Sequence, residues 1–291
     1  MARLHPKAGS SLKLLDPTSV REIAARLDLR PTKQRGQNFV TDANTVRRIV
    51  AAAGVRSDDV VLEIGPGLGS LTLGLLEAAR EVMAVEIDGP MAEELPRTAA
   101  TWMPERAEAL TVITADALKL TELPAPPTIV VANLPYNVSV PVLLHLLATF
   151  DSWQRGLVMV QSEVADRLAA GPGSKIYGVP SVKMAWYSTT ARVGTVPPTV
   201  FWPVPNVDSG LVSITRREPP VTTAPRERVF AIVDAAFGQR RKMLRSSLSG
   251  LAGSSAAASA AIEAAGLDPQ ARGEVLTVTD FARIAEQLPV T

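Results

Sequence analysis

The chain has 291 residues, of which 46% are hydrophobic and 20% are charged. This composition is typical of a soluble globular protein, and a chain of this length can bury a hydrophobic core without disulfides. Cysteine is absent, which excludes disulfides, thiolate nucleophiles and Cys-ligated zinc. The two histidines, His5 and His145, are far apart in the sequence, so neither a histidine metal site nor a Ser-His-Asp triad is expected. Because the sequence lacks an apolar run long enough to span a membrane and the apolar segment of a signal peptide, it predicts a cytoplasmic protein.

The charges are unevenly distributed, although the net charge is only +1. Residues 1–50 contain ten basic and four acidic side chains, residues 51–130 contain five and thirteen, and residues 131–291 contain fifteen and twelve. Basic flanks around an acidic middle are compatible with a polyanionic partner, but solvated helix faces give similar counts. The charge pattern alone therefore does not separate a nucleic-acid-binding protein from other soluble proteins.

The first predicted elements are two helices separated by a basic, turn-rich stretch. Ser19 and Glu22 have the S-x-x-E spacing of a capping box, which predicts the start of the first helix. After the basic stretch, Asp42 is expected to cap a second helix that ends at Gly54. Residues 1–30 are interpreted as an N-terminal extension followed by a helix.

From residue 58 the sequence alternates between short apolar runs and helical patterns. The runs are continuously hydrophobic, as in parallel strands that are covered by helices on both faces. This order predicts an α/β protein with a doubly wound, mostly parallel sheet, whose ligand binds at the carboxyl ends of the strands. The predicted strands are 60–64, 82–87, 110–114, 128–132, 156–160, 190–196 and 210–215, and the predicted helices include 70–79 and 139–149.

The last quarter of the chain has a different character. After Glu218 and two prolines the pattern is helical only, and it includes an Ala-rich helix former at 254–265. We place a domain boundary near residue 218. The sequence therefore predicts a ligand-binding domain over 31–218 and a small all-α C-terminal domain over 219–291.

A glycine-rich turn follows the first strand of the predicted sheet. Gly65, Gly67 and Gly69 have G-x-G-x-G spacing between a strand and a helix. Glycines at such a turn allow positive φ angles and a close approach of a ligand to the backbone at a helix N-terminus. The spacing differs from the G-x-G-x-x-G of dinucleotide sites and lacks the Lys of a P-loop. With Glu63 inside the strand, a cationic or zwitterionic ligand fits better than a pyrophosphate.

Polar residues also end the next three predicted strands. Glu86 follows Gly65 by twenty-one residues, where a carboxylate can accept hydrogen bonds from both hydroxyls of a ribose. Asp116 ends the third strand, where it can meet an adenine amino group. The fourth strand ends in Asn-Leu-Pro-Tyr over 133–136. This tetrapeptide offers an amide oxygen, a backbone carbonyl, a rigid turn and an aromatic face, which suit a planar ring with an exocyclic amine such as adenine.

Together these motifs resemble those of the S-adenosylmethionine-dependent rRNA adenine N6-dimethyltransferases. The resemblance covers most of the chain, except for the N-terminal tail to about residue 17. The stretch 237–245 resembles the basic helix of the small-subunit (16S) branch, whose members dimethylate two adjacent adenines near the 3′ end of small-subunit rRNA. Other stretches that match family motifs are 36–42, 173–178 and 201–209.

The resemblance implies a class I methyltransferase, Rossmann-like fold that binds S-adenosyl-L-methionine in the 31–218 domain. Asn38 and the backbone of Val40, which stands in place of the family's usual Leu, would hold the methionine end of the cofactor. The cofactor-binding residues implied are Asn38, Val40, Gly65, Gly67, Glu86, Asp116 and Asn133. The catalytic residues implied are Asn133, Leu134, Pro135, Tyr136 and Phe201, with Tyr136 and Phe201 stacking on opposite faces of the target base.

The resemblance also implies an RNA-binding surface and a role in small-subunit maturation. In a basic helix, Arg241 and Arg245 would share one face. The partner would be small-subunit rRNA in a 30S-type particle, no metal is expected, and nothing in the sequence demands more than a monomer. The RNA-binding residues implied are Arg30, Lys33, Arg35, Arg240, Arg241, Lys242 and Arg245.

Three other functions share part of the pattern. A methyltransferase of the same class that acts on large-subunit rRNA or DNA is disfavoured by the basic stretch and the helical C-terminal part, but it stays open. A non-catalytic ribosome-assembly or RNA-binding factor is disfavoured by the intact Asn-Leu-Pro-Tyr, although an assembly role can coexist with catalysis. A nicotinamide oxidoreductase fits the acidic end of the second strand but not the glycine spacing.

Overall fold

The computed structural model describes residues 14–29, 38–135 and 138–288. Within these ranges, none of the helices is both long enough and apolar enough to cross a membrane. The predicted site residues that lie outside the described residues are Arg30, Lys33, Arg35 and Tyr136.

A seven-stranded sheet forms the centre of the molecule, and a separate two-stranded ribbon lies beside it. The strands are β1 (Phe39–Val40), β2 (Val60–Ile64), β3 (Glu81–Glu86), β4 (Leu110–Thr114), β5 (Ile129–Asn133), β6 (Arg155–Gln161), β7 (Ser188–Val196), β8 (Phe201–Trp202) and β9 (Ser209–Arg216). The sheet has the order β4-β3-β2-β5-β6-β9-β7, in which the first five strands are parallel and β9 runs antiparallel to both of its neighbours. The predicted, mostly parallel sheet is confirmed.

The helices alternate with the strands in the first part of the chain and follow one another in the last part. They are α1 (Pro17–Arg26), α2 (Ala43–Ala53), α3 (Ser70–Ala78), α4 (Gly89–Trp102), α5 (Ser139–Thr149), α6 (Ser162–Leu168), α7 (Val179–Tyr187), α8 (Arg226–Gly238), α9 (Leu244–Ser247), α10 (Ser249–Ala252), α11 (Ser255–Ala264) and α12 (Val278–Gln287).

Alternate residues of the central strands enter two hydrophobic layers on opposite faces of the sheet. In β2, Leu62 belongs to a layer that also contains residues of α5, α7 and the C-terminal helices, whereas Val61 belongs to a layer with residues of α1 to α4. Because both faces are covered, most positions of the central strands are hydrophobic. The central sheet is therefore doubly covered by helices, as the sequence predicts.

The start of the first helix differs from the prediction. Its N-cap is Asp16, whose carboxylate accepts hydrogen bonds from the backbone nitrogen and the hydroxyl of Ser19. Pro17 occupies the first turn, where a missing N–H costs nothing. The predicted Ser19–Glu22 capping box is therefore wrong, because the Asp-Pro pair three residues earlier supplies a complete start signal. The second helix agrees with prediction, since Asp42 caps it and Gly54 ends it with a φ of 62°.

The basic stretch near residue 240 is a turn rather than the predicted helix. α8 ends at Gly238, Gln239 leaves the helical region with φ −128° and ψ 59°, and α9 begins at Leu244. The backbone nitrogen of Leu244 donates to Ala271 O at 2.8 Å, and the Leu244 side chain is fully buried. Burial of Leu244 against the 268–271 loop therefore fixes the chain direction, which a continuous helix would not allow. Arg241 and Arg245 consequently do not share a helix face.

The C-terminal helices pack on α7 and extend the hydrophobic layer beneath the sheet. Trp186 of α7 contacts Phe230 of α8 edge-to-face, with ring centroids 5.9 Å apart. The predicted boundary near residue 218 lies in the irregular stretch 217–225 between β9 and α8. The division of the chain into domains stays a prediction.

Candidate active site

A cavity of about 460 Å³ opens at the carboxyl ends of β2, β3 and β5. Its walls come from the turns that follow these strands, from the segment around β1 and from the beginning of α4. A volume of this size accommodates a small organic ligand. The predicted residues that line the cavity are Asn38, Val40, Gly65, Gly67, Glu86, Asn133 and Pro135.

The glycine turn supplies the floor of the cavity. Gly65, Gly67 and Gly69 have φ angles of 68°, 57° and 96°, in the left-handed region that favours glycine. A Cβ atom on Gly67 would lie 2.8 Å from Cε1 of Phe39, which also lines the cavity. The turn is therefore closed against β1, and at Gly67 a side chain would clash with that wall.

Glu86 joins the glycine turn to the start of α4. Its carboxylate accepts hydrogen bonds from the backbone nitrogens of Gly67 at 3.1 Å and of Asp88 at 3.0 Å. Burial raises the pKa of Glu86, while these two hydrogen bonds to the carboxylate oppose the rise. Glu86 thus holds two loops together, and its position at the end of β3 matches the one predicted to meet a ribose.

Glu63 is a second carboxyl group in the cavity wall. It is only 1% exposed, and among the described residues its Oε2 atom has no hydrogen-bond partner. Burial raises its pKa to about 8, and the nearby charge of Glu86 acts in the same direction. A buried carboxyl oxygen without a hydrogen-bond partner is costly in a folded protein, so it marks a place where a ligand can supply the missing interaction.

Asn133 lies at the end of β5, and the nitrogen of its side-chain amide is hydrogen-bonded within the protein. The amide nitrogen donates to the backbone oxygen of Asn38 at 3.0 Å, so the amide oxygen is the group that Asn133 can offer to a hydrogen-bond donor. The following residue, Leu134, is buried, and its backbone nitrogen donates to Met159 O at 3.0 Å. Pro135 lies against Gly65, with its Cδ 3.7 Å from where a Cβ on Gly65 would be. The first three residues of the motif are therefore fixed beside the glycine turn.

Three predicted cofactor-binding or catalytic residues in the described part of the chain do not line this cavity, namely Leu134, Asp116 and Phe201. Asp116 follows β4 at the same edge of the sheet, but its carboxylate caps a short turn by accepting from Leu118 N at 2.9 Å. Phe201 is 2% exposed and pairs in β8 with Val40 of β1. Their predicted contacts with adenine and with the target base stay predictions.

Several residues of the cavity wall were missed by sequence reasoning, although each lies next to a motif that was identified. Ile87, which directly follows Glu86, is 68% exposed. Asp88 caps α4 by accepting from Met91 N at 3.3 Å. An isoleucine between the strand-end carboxylate and the helix-capping Asp88 is the sequence signal that could have located this wall. The missed residues are Phe39, Pro66, Ser70, Leu71, Ile87, Asp88, Met91 and Val138.

The predicted RNA-binding residues that the structure describes lie in the turn between α8 and α9. Arg241 and Lys242 are exposed, and Arg245 is half-buried. Arg240 differs from them, because its Nε lies 3.2 Å from Glu274 Oε2 and its Nη2 donates to Lys175 O at 2.5 Å. The structure thus separates one internally bonded arginine from its exposed neighbours.

Comparison with known proteins agrees with this geometry. The model of the family "Ribosomal RNA adenine dimethylase" matches residues 28–289. The chain belongs to the ribosomal RNA adenine dimethylase family. This confirms the resemblance inferred from the motifs and the expectation of an rRNA-methylating enzyme, and it overrules the nicotinamide oxidoreductase alternative.

Relatives of this dimethylase are similar over nearly their whole length. This dimethylase is 66% identical over 275 residues to "Ribosomal RNA small subunit methyltransferase A" of Streptomyces avermitilis, and the match covers 94% of this chain and 93% of the relative. It is 63% identical over 285 residues to the protein of the same name from Cutibacterium acnes, covering 96% of each chain.

Solved structures show the same fold. A dimethyladenosine transferase from Plasmodium falciparum has a TM-score of 0.71 at 23% identity, covering 84% of this dimethylase and 95% of that chain. The 23S rRNA methyltransferase ErmE has a TM-score of 0.62 at 27% identity, covering 86% of this dimethylase and 99% of that chain.

Proposed function

We propose that this dimethylase transfers methyl groups from S-adenosyl-L-methionine to N6 of two adjacent adenines near the 3′ end of small-subunit rRNA. The observation that carries the proposal is the Asn133-Leu134-Pro135 backbone, fixed at the mouth of a cavity with two buried carboxyl groups. The choice of the small subunit is supported by the relatives at 66% and 63% identity, which are named for it. A role in small-subunit maturation follows from that substrate.

The residues of the cavity fit this cofactor. Among the described residues, Glu63 presents a buried carboxyl oxygen without a hydrogen-bond partner, which suits a ligand that can donate a hydrogen bond to it. Glu86 at the end of β3 is positioned to accept hydrogen bonds from a ribose, and the glycine turn leaves room for close approach to the backbone. Asn38 and Val40 would contact the methionine end, and Asp116 the adenine end. When bound, the cofactor supplies an electrophilic methyl group.

Asn133 and Leu134 would orient the amine that is methylated. The N6 lone pair of adenine is delocalised into the ring, so the amine is a poor nucleophile. Hydrogen bonds from N6 to the Asn133 amide oxygen and the Leu134 carbonyl favour a more tetrahedral nitrogen with its lone pair directed into the cavity. Since positioning supplies most of the acceleration, no strong general base is needed, and the methylated nitrogen loses its proton to water.

The target base has to leave its stack, which costs a few kcal/mol. Stacking between Tyr136 and Phe201 would contribute about 1–3 kcal/mol for each aromatic contact. Phe201 belongs to the β1–β8 ribbon and is 2% exposed, so this contact requires its ring to become accessible when RNA binds. RNA would be bound by the basic turn after α8 and by Arg30, Lys33 and Arg35, and the protein would act as a cytoplasmic monomer.

The direct test measures methyl transfer from labelled S-adenosylmethionine to purified small and large ribosomal subunits from cells that lack this protein. The expected result is N6,N6-dimethyladenosine in the small subunit only. Label in the large subunit would assign the chain to the alternative substrate class. Cofactor binding without any label would instead favour the non-catalytic assembly factor.

A further inference from the structure

The motif at 173–178 connects the parallel-sheet part of the molecule to the C-terminal helices. It lies between α6 and α7, and its backbone nitrogen at Gly173 donates to Glu274 O at 2.7 Å. The hydroxyl of Tyr177, a residue that is 2% exposed, donates to Leu276 O at 2.8 Å. The Tyr177 ring also contacts Phe237 edge-to-face, with centroids 5.9 Å apart. The motif thus contacts the end of α8, just before the basic turn, and the 274–276 segment.

Arg240 completes this set of interactions. Its guanidinium pairs with the Glu274 carboxylate at 3.2 Å and donates to the backbone oxygens of Lys175 at 2.5 Å and Ser174 at 3.5 Å. The Arg240 and Glu274 side chains are 39% and 30% exposed. We name this set of residues, Gly173, Ser174, Lys175, Tyr177, Arg240 and Glu274, the brace.

The strand register places the brace at the same edge of the molecule as the cavity. β6 is parallel to β5, and its last residue, Gln161, pairs with Ser209 at the start of β9. At the opposite edge, Arg216 at the end of β9 pairs with Ser188, which directly follows α7. Since α7 ends at that opposite edge, the 173–178 motif before it lies toward the carboxyl ends of the parallel strands.

The same reasoning places the basic turn. At the start of α8, Arg226 donates to the Tyr187 hydroxyl at 2.6 Å, whereas at its end Phe237 contacts Tyr177. α8 therefore runs alongside α7 toward the cavity edge. Arg241 and Lys242 follow the end of α8 that lies beside the 173–178 motif.

We propose that the brace is a positioning device that sets where the exposed basic turn meets rRNA, with Glu274 and Arg240 as positioning residues rather than RNA contacts. This inference rests on the proposed function. Glu274 is an acidic residue beside the basic turn that is proposed to bind rRNA, a polyanion. On electrostatic grounds alone its removal strengthens RNA binding, whereas disruption of the brace weakens it. The two accounts therefore predict opposite changes in RNA affinity when Glu274 is removed.

The test compares Glu274→Ala with Glu263→Ala in binding to purified small subunits and in steady-state methylation. Glu263 is an exposed acidic residue of α11 outside the brace, so it controls for the change in net charge. The brace predicts that Glu274→Ala raises Kd and KM for the particle about two- to fivefold, with kcat and cofactor affinity retained. Glu263→Ala should bind as tightly as wild type or slightly tighter.

A second variant, Arg240→Lys, keeps the positive charge but cannot make the same bonds to Glu274, Ser174 and Lys175. The brace predicts the same rise in KM, whereas a simple phosphate contact predicts nearly unchanged binding. Overturning results are a Glu274→Ala variant that binds as tightly as Glu263→Ala, or an Arg240→Lys variant with wild-type KM. Failure of wild type to bind or methylate small subunits would count against the proposed function instead, so the two failures are distinguishable.

Discussion

The cavity and the basic turn are built in different ways. The cavity contains the buried carboxyl groups of Glu63 and Glu86, and most of its residues lie at the ends of the neighbouring strands β3, β2 and β5. The basic turn is exposed, and its path is set by contacts with Ala271, Glu274 and Lys175, which are distant in sequence. Under the proposed function the two regions would have separate tasks, with chemistry in the cavity and capture of RNA at the turn.

The largest effect is expected at the cavity. Replacing Asn133 by Ala removes the amide oxygen proposed to hold N6, and it also removes the bond to Asn38 O. We expect methyl transfer to fall at least about 100-fold in single-turnover assays, with the folded structure and RNA affinity retained. Asn44→Ala, at an exposed position of α2, is the matched control. Near-normal turnover by Asn133→Ala would contradict the mechanism.

The next effect concerns the pH dependence of stability. Because the folded state raises the pKa of Glu63 from 4.5 to about 8, its protonated form contributes stability that is complete below pH 4.5 and is lost as the pH rises toward 8. Glu63→Gln removes this titration. As the pH rises within that window, the free energy of unfolding of Glu63→Gln should therefore increase relative to that of wild type by up to about 1.4 kcal/mol per pH unit. Denaturant titrations at several pH values measure the free energy of unfolding of both proteins. The same pH dependence in both would show that Glu63 ionises normally.

A smaller effect is expected in the glycine turn. Gly67→Ala forces a side chain into a left-handed conformation, and its Cβ would lie 2.8 Å from the Phe39 ring. The variant should lose about 1–3 kcal/mol of stability, and calorimetry should show weakened cofactor binding. Gly171→Ala is the control, since a Cβ there meets no atom within 4 Å. Equal stability and equal cofactor affinity of the two variants would show that the glycine turn is not part of the cofactor site.

The smallest effect is expected at the basic turn. Arg241→Ala and Lys242→Ala should each reduce the salt dependence of RNA binding, lowering the slope of log K against log salt by about 1 for every phosphate that the side chain no longer neutralises. Arg56→Ala, an exposed arginine at the opposite edge of the sheet before β2, should leave the slope unchanged. An unchanged slope in all three variants would make the turn purely structural.

The comparison also shows which features could be predicted from the sequence. The strands could be predicted because their hydrophobicity is continuous, and the positions of Glu86 and Asn133 followed because parallel strands end at one edge. The start of α1 was misplaced because Ser19 has a capping pattern within a helix that Asp16 already caps. The basic stretch was misread as a helix because local composition does not record that Leu244 is buried against the 268–271 loop. Burial of Phe201 likewise depends on its pairing with Val40, far away in sequence.

The measurement that tests the separation of tasks most directly is a steady-state comparison of Asn133→Ala with an Arg241→Ala/Lys242→Ala double variant on purified small subunits. The account predicts that the first variant loses kcat while its affinity for the particle stays within about twofold of wild type. It predicts that the double variant raises KM and retains kcat at saturating particle concentration. The account is contradicted if both variants change the same parameter, because the cavity and the turn would then act as one unit.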